Sequence, residues 1–295
     1  RVAPRSKVAA IVRLPLVALG LVVGLAASAP AQEIRIVFFD VGQGDAALVV
    51  TPEGRCVLID AGPDATPIVR QVQVNCGDTL DLVVASHGHA DHIGGMGGVL
   101  RSFAVRNYLD NGVPFESATY RAIRELVASS GARYLQADRR VLTLGSVRVR
   151  VLSNPPGDGE QNLESVGLIV EFGEFRALFS GDSELSELEW WLESDSVPRV
   201  TVLKVAHHGS WNGRSEAWAR ATRPRVAVIS VGAENSYGHP APQVVALWCS
   251  VGARVYRTDH NGTIEVRARR NGHGVVQRLV STPDSLAGPV NACVR

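Results

Sequence analysis

The pattern of hydrophobic and polar positions predicts strands that alternate with helices. Short apolar runs rich in β-branched residues, separated by glycine, aspartate and proline, are typical of strands, whereas apolar residues at helical spacing indicate helices. The predicted strands cover residues 34–39, 46–50, 56–59, 81–86, 147–152, 166–172, 175–179, 200–206, 226–231, 254–257 and 263–269. The predicted helices cover residues 94–103, 117–130, 215–222 and 242–249, and a further helix is capped by Ser183.

These elements predict two packed sheets covered by helices, formed by one domain. The Gly-Gln-Gly-Asp segment at residues 42–45 is interpreted as a tight turn between two strands. It lacks the third glycine of a dinucleotide loop and the lysine of a phosphate loop. Trp190 and Trp191 are adjacent on a predicted helix, so at most one of them faces the core. The tail at residues 281–295 is predicted to be irregular.

The first 31 residues have a different character from the rest. Four basic residues precede an apolar run at residues 14–27, and Ala-Ser-Ala follows at residues 27–29. These features are typical of a secretory signal peptide, and the run is short for a membrane span. The alternative is an uncleaved N-terminal anchor. Either interpretation places the folded part outside the cytoplasm, secreted or periplasmic, with no stable membrane span once a signal is cleaved.

Composition and cysteine content agree with an exported globular protein. Of 295 residues, 45% are hydrophobic, and the net charge of +1 does not by itself indicate a nucleic-acid or membrane-surface protein. Export permits disulfides between the four cysteines. A zinc site made of these cysteines is less favoured, because the sequence has no C-x-x-C spacing. The sequence does not select one pairing. Proximity along the chain favours Cys56–Cys76 and Cys249–Cys293.

The strongest chemical signal is an H-x-H-x-D-H motif that directly follows an apolar strand. It contains His87, His89, Asp91 and His92. A loop that leaves a strand end can wrap such a run around an ion, whereas one helix face cannot present all four side chains. Imidazole and carboxylate together suit zinc or manganese better than calcium. The alternative is a polar loop with solvated histidines, but the density of ligands favours a metal site.

This motif resembles the signature of the metallo-β-lactamase superfamily, and the chain is similar to the soluble hydrolase domain of the ComEC family of DNA-uptake proteins. The matching runs are FDVGQGDA at 39–46, the histidine motif at 87–92, LFSGD at 178–182, LKVAHHGS at 203–210, and SVG at 230–232 through YGHP at 237–240. The resemblance implies an α/β, four-layer αββα sandwich that forms a single domain over residues 32–280. It also implies two divalent ions, zinc or manganese, between the edges of the two sheets.

The resemblance assigns metal ligands to five positions. His87 and His89 would hold one ion, and Asp91 and His92 would hold the second. Asp182 would bridge the two ions, because the two oxygens of a carboxylate can bind two ions a few ångströms apart.

The resemblance also implies residues that act beside the ions. One residue of the His207–His208 pair would complete the shell of the second ion, and the other would lie close enough to touch substrate. We take His207 as the ligand and His208 as the catalytic candidate. Asp91 would in addition orient the attacking water, and His239 is either a further catalytic group or a turn histidine. Lys204 is expected to face solvent, with a position near a substrate phosphate as the alternative.

The sequence departs from the superfamily pattern at one place. Many members have another histidine between the first motif and the bridging aspartate, but this chain has none at residues 93–181. Asn162 and Ser165 occupy the corresponding stretch and match the ComEC-like pattern. One ion would therefore have a more open shell, and a β-lactamase activity is disfavoured.

The function implied by the resemblance is hydrolysis by a metal-bound hydroxide at a dinuclear site. The expected substrate is a phosphodiester such as DNA, held by arginines such as Arg214. An enzyme that hydrolyses another ester, such as a phosphocholine ester or another small phosphoester, or a lactone, is the alternative. A metal-binding module without catalysis is a third reading. The sequence carries no signal for an oligomeric state.

Overall fold

The computed structural model describes residue 2 and residues 32–155, 159–194, 197–279 and 290–294. Apart from residue 2, the predicted signal segment at residues 1–31 lies outside the described residues, as does most of the predicted tail. Within the described part of the chain, no helix combines the length and the apolar character needed to cross a bilayer.

The chain after residue 31 alternates between strands and helices. The strands are β1 (Glu33–Phe38), β2 (Ala47–Val50), β3 (Cys56–Ile59), β4 (Thr79–Leu80), β5 (Leu82–Val84), β6 (Ala104–Val105), β7 (Asn107–Asp110), β8 (Arg133–Gln136), β9 (Arg140–Leu144), β10 (Val147–Val151), β11 (Leu168–Phe172), β12 (Phe175–Phe179), β13 (Val202–Lys204), β14 (Val226–Ile229), β15 (Arg254–Arg257), β16 (Thr263–Arg269) and β17 (Gly274–Leu279). The helices are α1 (Ala65–Cys76), α2 (Ala90–Ile93), α3 (Met96–Ser102), α4 (Ala118–Ser129), α5 (Leu185–Ser194), α6 (Glu216–Thr222), α7 (Pro242–Ser250) and α8 (Thr258–Asn261). Two short 3₁₀ turns cover Ala206–Gly209 and Trp211–Gly213.

The described strands form two large mixed sheets and a small pair. The first sheet has the order β17, β16, β1, β2, β3, β5, β7, β8, and the second has the order β15, β14, β13, β12, β11, β10, β9. The strands from β3 to β8 in the first sheet are parallel, as are those from β12 to β15 in the second. Helices connect these parallel strands, so the carboxyl ends of neighbouring strands lie at the same edge of each sheet.

Helices cover the outer face of each sheet, and a continuous apolar core fills the space between the sheets. Phe38 of β1 and Phe179 of β12 meet in this core, with their ring centroids 5.8 Å apart. The outer helices bury Ile68, Val99 and Ile123 against the first sheet, and Trp191, Trp218 and Val244 against the second. The architecture is the predicted four-layer αββα sandwich.

The predicted elements are present, with most ends displaced by no more than one or two residues. The pattern missed the helices α1, α2 and α8 and the strands β4, β6, β7, β8, β9 and β17. Helix α1 buries only Ile68 and Val72, so its apolar periodicity is weak. Strands β8, β9 and β17 lie at sheet edges. Edge strands have fewer buried neighbours, so their hydrophobic alternation is less regular.

Two local predictions on α5 can be compared with the structure. Trp191 is fully buried and Trp190 is only partly buried, as expected for adjacent helical residues. Helix α5 begins at Leu185, two residues after the predicted cap. The Ser183 hydroxyl donates to the carbonyl of Ser180, which precedes the helix. The cap prediction is therefore not supported by the hydrogen bonding.

Both predicted disulfides are confirmed. Cys56–Cys76 joins β3 to the end of α1, and Cys249–Cys293 joins α7 to the C-terminal segment. The backbone N–H of Ala292 also donates to the carbonyl of Val255 at 2.7 Å. The described end of the chain is thus held against β15.

The turn between β1 and β2 packs against the loop that follows β5. The backbone N–H of Asp45 donates to the carbonyl of Asp91 at 3.1 Å. Gly44 has φ +137°, and a methyl group at this position would collide with the same carbonyl. Gly42 has φ +76°, but a methyl group there would meet open space. The glycine at position 44 is therefore required by a close backbone approach.

Gly44→Ala is expected to destabilise the protein more than its neighbour Gly42→Ala. Both substitutions place alanine at positive φ, at a cost of about 1–2 kcal/mol. Only Gly44→Ala also displaces the Asp91 loop, so we expect roughly 2–4 kcal/mol in total. Chemical denaturation measures both free energies of unfolding. Equal losses for the two variants would contradict the packing described for this turn.

Candidate metal centre

The predicted metal residues converge because they follow strands that end at one edge of the sandwich. The H-x-H-x-D-H loop follows β5 of the first sheet, and Asp182 follows β12 of the second. His207 and His208 follow β13, which is parallel to β12. Residues far apart in sequence therefore meet where the two sheets face each other.

Four side chains form a set that could hold one ion. These are Asp91, His92, Asp182 and His208, with ligand atoms within 4.8 Å of one another. His208 Nε2 lies 3.1 Å from both Asp91 Oδ2 and Asp182 Oδ2. His92 Nε2 lies 3.2 Å from Asp182 Oδ2 and 3.7 Å from Asp91 Oδ2. Two imidazole nitrogens and two carboxylate oxygens match the donors that zinc and related divalent metals take.

The outer nitrogen of each imidazole is held by a neighbour, which directs the inner nitrogen toward the set. His92 Nδ1 lies 3.0 Å from Asp60 Oδ2, and His208 Nδ1 lies 3.0 Å from the carbonyl of Ser230. This pattern of outer hydrogen bonds is common for metal-binding histidines. His92 Nε2 is buried without a hydrogen-bond partner among the described residues. The residues present therefore fit a bound cation.

The charges of the set compensate one another. Burial lowers the pKa of His92, but Asp182 and Asp60 outweigh that effect and hold it well above its usual value. Burial raises the pKa of Asp182, but His208 and His92 bring it well below its usual value. Burial also raises the pKa of Asp91, and the hydrogen bond with His208 lowers it to about 2. A cation bound here would take the place of the protons on the imidazoles.

His87 and His89 form a separate pair beside this set. His87 Nε2 lies 3.0 Å from His89 Nδ1, and His87 Nδ1 lies 3.1 Å from the hydroxyl of Ser86. Burial and the neighbouring His92 hold the pKa of His87 well below its usual value, which favours the neutral form that binds metals. Among the described residues, no third imidazole or carboxylate joins this pair in a mutually close set.

His207 and His239 lie at the rim of the site. His207 Nε2 is 3.8 Å from Asp182 Oδ2, and its ring centroid is 5.9 Å from that of His239. His207 and His208 have φ of +48° and +51°, an uncommon conformation that costs on the order of 1–3 kcal/mol per residue. This backbone turns His208 into the four-residue set and leaves His207 outside it.

Two buried carboxylates of the site were not recognised from the sequence, and the environment of a lysine was predicted wrongly. Asp45 and Asp60 are buried beside the imidazoles, and Lys204 is 3% exposed. The expectation that Lys204 faces solvent is wrong, because its ammonium donates to the carbonyl of Gly181 at 3.0 Å and forms an ion pair with Asp45. Asp60 could have been suspected, since it is an acidic residue directly after an apolar strand.

Ser165 supports the site through the backbone. Its hydroxyl accepts a hydrogen bond from the N–H of Asp182 at 3.2 Å, and the side chain is fully buried. In the stretch where many superfamily members have another histidine, this chain thus has a residue that positions Asp182.

Comparisons with known proteins agree with this fold. A family model described as the Metallo-beta-lactamase superfamily matches residues 39–233. The chain is 29% identical over 261 residues to ComE operon protein 3 of Bacillus subtilis, covering 80% of this chain and 33% of that protein. It is 26% identical over 234 residues to Recombination protein 2 of Haemophilus influenzae, covering 77% of this chain and 28% of that protein. The chain thus spans about a third or less of these relatives.

A solved structure shows the same fold. The metallo-beta-lactamase fold protein YhfI of Bacillus subtilis superposes with a TM-score of 0.55 at 11% identity, covering 79% of this chain and 99% of that chain. Because the family model matches more than half of the sequence and the fold agrees, the chain belongs to the metallo-beta-lactamase superfamily of metal-dependent hydrolases.

Proposed function

We propose that the protein is a metal-dependent phosphodiesterase that cleaves DNA. The observation that carries this proposal is the set of Asp91, His92, Asp182 and His208, whose ligand atoms converge at the sheet edge. The similarity to a ComE operon protein and to a protein named for recombination supports a nucleic acid as the substrate. Divalent ions at such a site activate water and neutralise charge on a phosphate.

We propose unequal roles for the two groups of ligands. The four-residue set would bind zinc or manganese tightly, with His208 as the ligand in place of His207. His87 and His89 would hold a second ion less tightly, because two imidazoles alone make an open shell. Asp182 Oδ2 lies within 3.2 Å of the Nε2 atoms of both His92 and His208, so we expect the tight site to depend on this carboxylate.

Residues at the rim would contact the substrate. The side chain of Asp91 is 33% exposed, so it can orient a water molecule from the edge of the set. His207 and His239 face each other across 5.9 Å between ring centroids. Burial, followed by the neighbouring His207, lowers the pKa of His239, so this imidazole is neutral near pH 7. We assign it to hydrogen bonding with the substrate.

Exposed aromatic rings lie beside this rim. Tyr237 is 69% exposed and stacks on His239, with ring centroids 5.7 Å apart. Trp211 is 56% exposed, and the guanidinium of Arg214 lies 5.1 Å from its ring centroid. Arg214 also forms an ion pair with Glu216 at 2.8 Å. Its guanidinium is therefore less available to bind a substrate phosphate than the sequence suggested. Exposed rings near a phosphodiester site suit the stacking of nucleic-acid bases.

A phosphocholine esterase is the second candidate. The same observation favours it, because aromatic rings also bind quaternary ammonium groups. The two substrates differ in length and in the group that contacts the rings. Activity on a chromogenic phosphocholine ester but not on any DNA would therefore support this candidate against the nuclease.

We also propose the domain limits and an extracytoplasmic location. Residues 1–31 would be a signal peptide, residues 32–280 the hydrolase domain, and residues 281–295 a tail. The presence of two disulfides supports export, since disulfides persist in oxidising compartments.

Asp182→Asn is expected to abolish metal binding at the four-residue set and DNA cleavage, while the fold is retained. The amide keeps the volume but removes the charge shared by His92 and His208. We expect a loss of at least about 100-fold in metal affinity, at the upper end of the effect of outer residues. Elemental analysis and cleavage of linear DNA with Mn²⁺ or Zn²⁺ measure the two effects.

The matched control is Asp78→Asn, which makes the same change at an exposed carboxylate between α1 and β4. Unchanged metal content and cleavage in Asp182→Asn would refute the assigned role. If the wild-type protein binds metal but hydrolyses neither DNA nor any ester, it is a metal-binding module without catalysis.

Tyr237→Ala is expected to weaken the binding of single-stranded DNA. Loss of one base-stacking ring costs about 1–3 kcal/mol. Tyr237→Phe keeps the ring and is expected to bind normally. Fluorescence anisotropy of a labelled oligonucleotide in the Asp182→Asn background measures affinity without cleavage. Equal affinity in the alanine and phenylalanine variants would remove Tyr237 from the substrate site.

A further inference from the structure

Lys204 is a buried cation at the base of the metal centre. It lies at the end of β13, and its ammonium is held by the carbonyl of Gly181 and by Asp45. A buried ammonium is costly unless it is paired and hydrogen-bonded. These contacts provide both, and they fix the position of the charge.

The two carboxylate oxygens of Asp182 face different cations. Oδ2 lies 3.1 Å from His208 Nε2, within the four-residue set. Oδ1 lies 3.6 Å from Lys204 Nζ and is buried without a hydrogen-bond partner among the described residues. If Asp182 used one oxygen for each of two ions, Oδ1 would be needed for the second. Here the ammonium already lies beside that oxygen.

We propose that the ammonium of Lys204 is the fixed second positive charge of the centre, so that the protein binds one divalent ion tightly and a second only weakly. The tight ion belongs to Asp91, His92, Asp182 and His208. The weak ion belongs to His87 and His89. This inference rests on the proposed function and specifies how the metal centre of that function is loaded.

A second observation supports the same asymmetry. The His87–His89 pair has no third ligand in a close set among the described residues. Ser165, in the stretch where another histidine is common, is engaged with the backbone of Asp182. The weak side of the centre therefore lacks an imidazole, and the carboxylate that could compensate is shared with an ammonium.

Titration of the metal-free protein with Mn²⁺ tests the proposal without reference to activity. Calorimetry is expected to show one tight equivalent and a second that binds at least about 100-fold more weakly, beyond the range that outer residues alone produce. The electron paramagnetic resonance spectrum at one equivalent should be that of an isolated ion. Two equivalents of equal affinity with a spin-coupled spectrum would overturn the proposal and leave the hydrolase function intact.

Lys204→Met removes the charge while it keeps an unbranched side chain in the same space. Asp182 Oδ1 then becomes available, so the affinity for the second ion is expected to rise by about 10–100-fold. A spin-coupled pair should then appear at two equivalents. Unchanged affinity for the second ion in the folded variant would overturn the role of Lys204.

His89→Ala keeps the test decisive if Lys204→Met does not fold. This variant is expected to lose the weak equivalent and to retain the tight one, whereas loss of the tight equivalent would overturn the division between the two groups. Absence of any Mn²⁺, Zn²⁺ or other divalent binding to the wild-type protein would refute the proposed metal-dependent function, which is a different failure.

Discussion

The structure depends on the compensation of buried charge at the edge where the two sheets meet. Asp45, Asp60 and Asp182 are buried there, and carboxylates in such positions are stable only when they are paired. Asp60 contacts His92, Asp45 contacts Lys204, and Asp182 contacts both His92 and His208. The network satisfies these charges while it leaves imidazole nitrogens directed at one point. The same network of carboxylates and imidazoles therefore stabilises this edge and arranges the side chains that could bind a cation.

The network also joins the two halves of the sandwich. Asp91 and His92 belong to the loop after β5 in the first sheet, whereas Asp182 and His208 follow strands of the second. A cation that binds all four side chains would link the sheets, and it would stabilise the folded state by mass action. The backbone is adapted to this convergence, because Asp60 and both histidines at 207–208 have positive φ. Such conformations persist where the surroundings hold them in place.

The sandwich itself was largely predictable from local pattern. Strands that are buried on both faces appear as continuous apolar runs, and these were found with nearly correct limits. Among the missed elements, α1 is poorly buried, and β8 and β9 lie at sheet edges, so these three lie outside that pattern. The disulfide pairs followed from proximity along the chain, which is a local property as well. The rim, with exposed Trp211 and Tyr237, is where the substrate would be distinguished.

The sequence by itself determined the family, the sandwich and the dense motif at residues 87–92, because each depends on residues that are adjacent or regularly spaced along the chain. Only the tertiary structure decided that His208 enters the four-residue set and His207 stays at the rim, since two consecutive left-handed residues set their directions. It also decided that Lys204 is buried against Asp45 and Asp182. Lys204 and Asp45 are far apart in the sequence, and no local pattern encodes a pairing across two sheets.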